Sequence, residues 1–325
     1  MSNRPGYPAQ YTTFATAHTA ASPGDTLYFT PSPNTYGSVS IAKGITIIGG
    51  GYAAGEHAAT FGTITIANGA SNASVIGVLA SAINLSASTG LSNITIERCR
   101  VPSITKTSSA SYTVDGLVIR QNALQTVSLG STNATATNVV ITNNVFAGST
   151  SGTSISGSAA PTVMISHNIF TGLSSSAHRS LGSLSNALVT DNIFYGRAPA
   201  AATGVSDCTF SNNLSFGTYD NTLPPAGNTG AGNVVNEDPL FVDVPAFNPA
   251  IAVLSDYDFH LGTGSPALGT GSDGSDMGMH GGVHALTVPL DGHPRLPQVT
   301  SMGMPSAVVG QDGSVEAEAE GTKHD

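Results

Sequence analysis

Six segments of this chain align without gaps: NITIERCRV (93–101), GLVIRQNAL (116–124), NVVITNNVF (138–146), TVMISHNIF (162–170), NALVTDNIF (186–194) and DCTFSNNLS (207–215). Their seventh positions, Cys99, Asn122, Asn144, Asn168, Asn192 and Asn213, lie 23, 22, 24, 24 and 21 residues apart. A unit of that length is too short for a packed helix pair, and its residues alternate in polarity. Each unit therefore reads as one turn of a parallel β-coil stacked on its neighbours.

Side chains along a strand point to opposite faces with period two, so the alignment sorts them into columns. Ile94, Leu117, Val139, Val163, Ala187 and Cys208 form one inward column, and Ile96, Ile119, Ile141, Ile165, Val189 and Phe210 a second. Beyond the seventh position come Val101, Leu124, Phe146, Phe170 and Phe194, a third inward column with three successive phenylalanines. Each such side chain contributes roughly 1.5–3 kcal/mol when fully buried, so these columns carry the folding drive. The Asn column lies inside the same bore, where an amide must find partners. With coils about 4.8 Å apart, each amide reaches the next one and also the turn backbone. Cys99 ends that ladder, and Cys208 stands about five coils away, roughly 24 Å, too far for a disulfide.

Less regular coils precede these, through GITIIGGGY (44–52), with Gly50 at the ladder position, and ASVIGVLA (73–80). Before them TTFATAHTAASPGDTLYF reads as a short Ala-rich helix stopped by Pro23 and Gly24, positioned to cap the open end of the stack. The expected organisation is an N-terminal arm and capping helix over 1–24, a coil stack of about ten turns and ~50 Å over 25–282, and a Pro-rich, acidic-tipped extended arm over 283–325.

Composition excludes several classes. Of 325 residues, 40% are hydrophobic and 9% charged, a balance that buries a core and does not fit a disordered chain. Ten Lys and Arg against twenty Asp and Glu, a net charge of −10, are too few cations to neutralise a nucleic-acid backbone. No apolar run of 18 residues exists, so no membrane insertion is expected, and MSNRPGYPAQ lacks the apolar core of an export signal. Two cysteines make neither a disulfide framework nor a zinc set.

The entry ATAHTAASPGDTLYFTPSPNTYGSVSIAKGITIIGGGY, the Asn-ladder coils and the closing NEDPLFVD…DYDFHLGTGSPALGTGSDGSDMGMHGG together resemble the right-handed parallel β-helix proteins of the pectate-lyase-like type, over most of residues 10–282. The resemblance implies an all-β, single-stranded right-handed parallel β-helix. It does not choose among the lyases, hydrolases, epimerases, adhesins and phage tailspikes built on that scaffold. Lyases of this type use a basic proton abstractor, often with calcium, and hydrolases need paired carboxylates. Here the lysines are Lys43, Lys106 and Lys323, no two Asp are adjacent, and the RxxPxxR pattern of pectate lyases is missing. A non-enzymatic structural or adhesive role follows, most concretely a phage virion component (tailspike, fibre or capsid decoration) made in the host cytoplasm, contacting capsid or tail proteins and binding cell-surface polysaccharide. The alternative is a secreted, extracellular or cell-surface polysaccharide lyase or glycoside hydrolase lacking its signal peptide.

Candidate sites follow from the faces. A charged region spans Glu97, Arg98, Arg100, Lys106, Asp115 and Arg120, in which Glu97 and Arg120 stack on neighbouring coils within ion-pair reach. An outward turn stripe holds Arg98, Gln121, Asn143, His167, Asp191 and Asn212, residue types that tolerate turns. Glu97, Arg98, Arg100, Arg120, Gln121 and Asn143 are the ligand-binding candidates, for an acidic sugar or a partner protein. His167, with Asp191 to orient it, and Arg98 are the catalytic candidates. A second outward column, Val118, Val140, Met164 and Leu188, is apolar where polarity is expected, which points to a covering loop or a subunit interface, as in a homotrimer. In GTGSDGSDMGMHGG (269–282), Asp273 and Asp276 are possible calcium ligands within a Gly-rich closing turn. His280, His284 and His293 fit no zinc spacing, and no cofactor is assigned.

Overall fold

The structure is a computed structural model of the full chain, and it describes all residues except 7–8, 53–57, 108–110, 131–134, 149–151, 158–162, 245–246, 248, 288–297, 304–317 and 323–325. His293, Lys323 and most of the C-terminal arm lie outside the described residues. The molecule is an all-β, right-handed parallel solenoid of about eight turns. One sheet stacks Thr26–Tyr28, Thr46–Ile48, Ser74–Ile76, Leu91–Glu97, Val114–Arg120, Val139–Thr142, Val163–Ser166, Leu188–Thr190 and Thr209–Ser211 in that order. A second stacks Val39–Ile41, Thr60–Ile66, Leu79–Leu85, Arg100–Lys106, Ala123–Ser128, Val145–Phe146, Ile169–Thr171, Ile193–Tyr195, Leu214–Phe216 and Val234–Val235.

Each nine-residue unit is thus the end of a strand in one sheet, a corner, and the start of a strand in the other. The pairing register reproduces the gap-free alignment: Ile94 lies beside Leu117, Val139 beside Val163, and Leu124 beside Phe146, which lies beside Phe170. The three inward columns are buried throughout. Phe146, Phe170 and Phe194 stack with centroids 4.8 and 5.1 Å apart.

The Asn ladder runs through the bore at the corner. Asn122 Nδ2 donates to Asn144 Oδ1 at 2.9 Å, and the same bond repeats from Asn144 to Asn168, Asn168 to Asn192 and Asn192 to Asn213 at 3.0 Å. Each Oδ1 also accepts the backbone N–H of the preceding rung, down to Cys99 at 2.8 Å. One rung escaped the alignment: Asn213 Nδ2 donates to Asn233 Oδ1 at 3.1 Å. Asn233 stands 20 residues after Asn213 and before Val-Val, a signal present in the sequence but short of the period. Both cysteines are free and buried, and burial pushes the Cys99 thiol up to about 12, so it is inert.

The helix Phe14–Ala20 starts at Thr13, whose hydroxyl accepts the Thr16 N–H, and its Phe14 ring stacks 6.3 Å from Phe29 of the first coil. Among the described residues the stack holds nine strands in line in one sheet and ten in the other. Asp-Pro-Leu-Phe does not enter another parallel coil; Phe241–Asp243 instead pairs antiparallel with Asp258–Leu261. In the C-terminal arm, Gln298–Gly303 pairs antiparallel with Glu318–Thr322.

Candidate functional site

The corner just before the ladder is left-handed in all six aligned coils: φ is 51° at Arg98, 56° at Gln121, 54° at Asn143, 53° at His167, 60° at Asp191 and 51° at Asn212. The turn reading of this stripe holds, but its exposure does not, since all but Asn212 are buried. What covers it is the closing segment, which walks back along the stack corner by corner. Asn212 Nδ2 donates to Thr270 O (3.2 Å); the Asp191 carboxylate accepts Ser272 N–H (2.6 Å) and Oγ–H (2.7 Å). Asn143 Nδ2 donates to Met279 O (3.0 Å) and Gly281 O (2.8 Å), and Gln121 Nε2 to His284 O (2.9 Å).

Beside these polar contacts lies an apolar seam. Ala123, Val145, Ile169, Ile193 and Leu214, each one residue past the ladder, point out of the bore and bury against Ala267, Met277, Met279 and Leu286. The column expected to lie under a covering loop, Val118, Val140, Met164 and Leu188, is a different one, four residues before the ladder. The glycines let the strap approach: at Gly278, φ +81°, a Cβ would lie 2.9 Å from Ile193, and at Gly282, φ +74°, 2.9 Å from the His167 ring. The contacts continue to Leu286, beyond residue 282.

This arrangement decides the fate of several candidates. His167 and Asp191 do meet, with Nε2 3.9 Å from Oδ2, but under the strap and not on an open face. Asp191 accepts from Ser272 N and Oγ, and Gly281 and Gly282 lie against the imidazole, so the pair is buried beneath the strap. Asn143 is likewise spent on strap carbonyls. Asp273 accepts from Ser275 N and Oγ, and Asp276 accepts from Gly269 N, bonds that hold the turn itself. Among the described residues, no three His, Cys, Asp or Glu side chains converge as a metal site.

The charged region divides in the same way. Arg100 lies past the corner on the second sheet, with its guanidinium 5.4 Å from the Tyr52 ring. Lys106 is buried 3.8 Å over the Tyr112 ring. Asp115, at the far end of its strand, accepts from Thr137 and Asn138.

What remains converges on a cleft of about 530 Å³, lined by Glu97, Arg98, Arg120 and Gln121 from the coils and by Val283, His284, Ala285 and Thr287 from the strap. Its floor is Ile48 and Ile76, which precede Glu97 and Arg120 in one outward column of the register. Arg120 donates to Glu97 Oε2 at 2.8 Å, Arg98 Nε donates to Gln121 Oε1 at 2.9 Å, and Arg120 Nη1 lies 3.2 Å from His284 Nδ1. Arg120 Nε is buried without a hydrogen-bond partner. His284, Ile48 and Ile76 were missed in the sequence: the histidine because its contact spans 164 residues, the isoleucines because their column turns charged at Glu97.

The apolar column faces outward. Val118 and Val140 are half-buried, while Met164 is 42% and Leu188 39% exposed, beside a shallow groove of about 390 Å³ flanked by Asn138 and Asn186.

No family model matches this sequence, and no curated protein matches it. Among solved structures the chain is similar to a trypsin-treated form of QnrB1, a plasmid-mediated fluoroquinolone resistance protein, at 12% identity and a TM-score of 0.34, over 58% of this chain and 83% of that one.

Proposed function

We propose that this protein is a non-enzymatic adhesive β-solenoid that holds an acidic glycan in the Glu97–Arg98–Arg120–His284 cleft, in the setting of a phage virion component such as a tailspike, fibre or capsid decoration. The observation that carries the reading is the convergence of two guanidinium groups on a cleft with an apolar floor, where Glu97 is the sole carboxylate among the lining residues. A sugar ring lays its C–H face on Ile48 and Ile76 while its carboxylate takes charge-assisted hydrogen bonds from the arginines. One carboxylate, already paired with Arg120, does not make the acid and base that glycosidic hydrolysis needs.

The test is calorimetric titration of the full chain with a uronic-acid oligosaccharide and with its carboxyl-reduced counterpart. The acidic probe is expected to bind, more weakly as salt rises, and the reduced probe not to bind. Arg120→Ala is expected to weaken the acidic probe about 10- to 100-fold, the worth of one hydrogen bond to a charged group. Equal binding of both probes, or new reducing ends during incubation, would overturn the reading.

Assembly belongs to the same proposal. Met164 and Leu188, wet in a monomer, are placed around the three-fold axis of a homotrimer. Light scattering is expected to give three times the chain mass for the native protein and a monomer for Val140→Asp with Met164→Asp; an unchanged mass in that variant would remove the column from the interface.

A further inference from the structure

Three histidines lie along the strap: His284 against Arg120 of a coil, His280 against His260 of the closing segment, and His167 of a coil beneath Gly281 and Gly282. His284 Nδ1 accepts from Arg120 Nη1 at 3.2 Å; a protonated ring has no lone pair to offer and would stand against a guanidinium, with Glu97 on the far side of Arg120 the one compensating charge. His280 stacks on His260 with centroids 3.7 Å apart and donates from Nδ1 to Leu286 O at 2.9 Å. His260 is exposed and bonded to Asp258, and a charged His280 would face it ring to ring, with Asp258 and Asp276 nearby as partial compensation. His167, against Gly281 and Gly282, is faced by Asp191 and Asp273.

We propose that the segment from His280 to Thr287 is an acid-released latch: docked near neutral pH, it walls the cleft, and on acidification it leaves the coils and opens that wall. The identity of what the cleft holds rests on the reading above; the latch itself does not. Burial holds His284, His280 and His167 all below the ordinary imidazole value; Arg120 adds to this at His284 and His260 at His280, while Glu97 opposes it at His284, the Leu286 carbonyl, Asp258 and Asp276 at His280, and Asp191 and Asp273 at His167. Depressed histidines favour the docked state while neutral. Their contribution is complete above about pH 6.5, the free-imidazole value, and is lost as pH falls below it.

Hydrogen–deuterium exchange of the full chain, without glycan, tests this at pH 7.5 and 5.0 after correction for intrinsic rates. The amides of Gly281, Ala285 and Leu286, bonded to Gly278 O, Gly282 O and Met279 O, are expected to lose protection at least 10-fold in acid, while the ladder amides of Asn144 and Asn168 keep theirs. In the double variant His280→Gln with His284→Gln the acid loss is expected to shrink to the part that His167 contributes. Should that variant fail to dock at pH 7.5, Arg120→Met, which removes the cation beside His284, is expected to move the release to lower pH. Equal strap protection at both pH values, an unchanged acid loss in the double variant, or an unmoved release in Arg120→Met would overturn the latch. Because no glycan is present, such a failure leaves the binding reading standing, and a failed titration leaves the latch standing.

Discussion

Replacing Asn168 by Ala is expected to destabilise the solenoid by about 3–5 kcal/mol, because it strands several buried polar groups at once. The Asn168 amide is fully buried. Its Oδ1 accepts from both the backbone N–H and Nδ2 of Asn144, and its Nδ2 donates to Asn192 Oδ1, Ile141 O and Ser166 O at 2.8–3.0 Å. Stranding a buried donor or acceptor costs about 1–3 kcal/mol, and the packed bore leaves the orphaned groups few ways to relax. Asn168→Asp is expected to do at least as badly at neutral pH, since a carboxylate cannot donate to Ile141 O and is buried without a countercharge. Denaturant titration checks both variants. Because each coil pairs in the sheets only with its neighbours, the transition is also expected to broaden, as the halves on either side of the defect unfold at different midpoints. A loss below about 1 kcal/mol would mean that the ladder follows from the coil geometry and does not hold it.

Phe170→Ala is expected to cost about 3–5 kcal/mol by a different route. The ring is fully buried and stacked between Phe146 and Phe194, so truncation leaves a cavity bounded by two rings that the neighbouring strands hold apart. Strand spacing in a hydrogen-bonded stack is set by the backbone, so the coils cannot close the gap by sliding together. Phe170→Leu keeps most of the volume and is expected to cost about 1–2 kcal/mol. Thermal unfolding of the two variants checks the ordering; equal losses would show that the bore relaxes around the deletion.

Much of this was readable from residue order. Six nine-residue segments named the register of both sheets, and the pairings of Ile94 with Leu117 and of Phe146 with Phe170 follow that alignment without a shift. The ion pair between Glu97 and Arg120 was also legible, since outward residues at one position in adjacent coils must stack. Arg100 stands apart from Arg98 and Arg120, on the second sheet beside Tyr52, because the chain turns the corner just before it. The outward stripe was misjudged because its left-handed backbone was visible as a turn signature while the segment that covers it was not.

The sequence by itself determined the coil, its columns, its ladder and its free cysteines, because a period-two strand repeated at near-constant spacing leaves one way to stack apolar on apolar. Only the tertiary structure decided that residues 270–286 lie along the corners, burying His167 and Asp191 and walling the Arg120 cleft with His284. The physical reason is the kind of contact. The strap binds largely through its own backbone, to Asn143 and Gln121 more than 130 residues earlier in the chain, and backbone groups leave no periodic trace in the residue types that carry them.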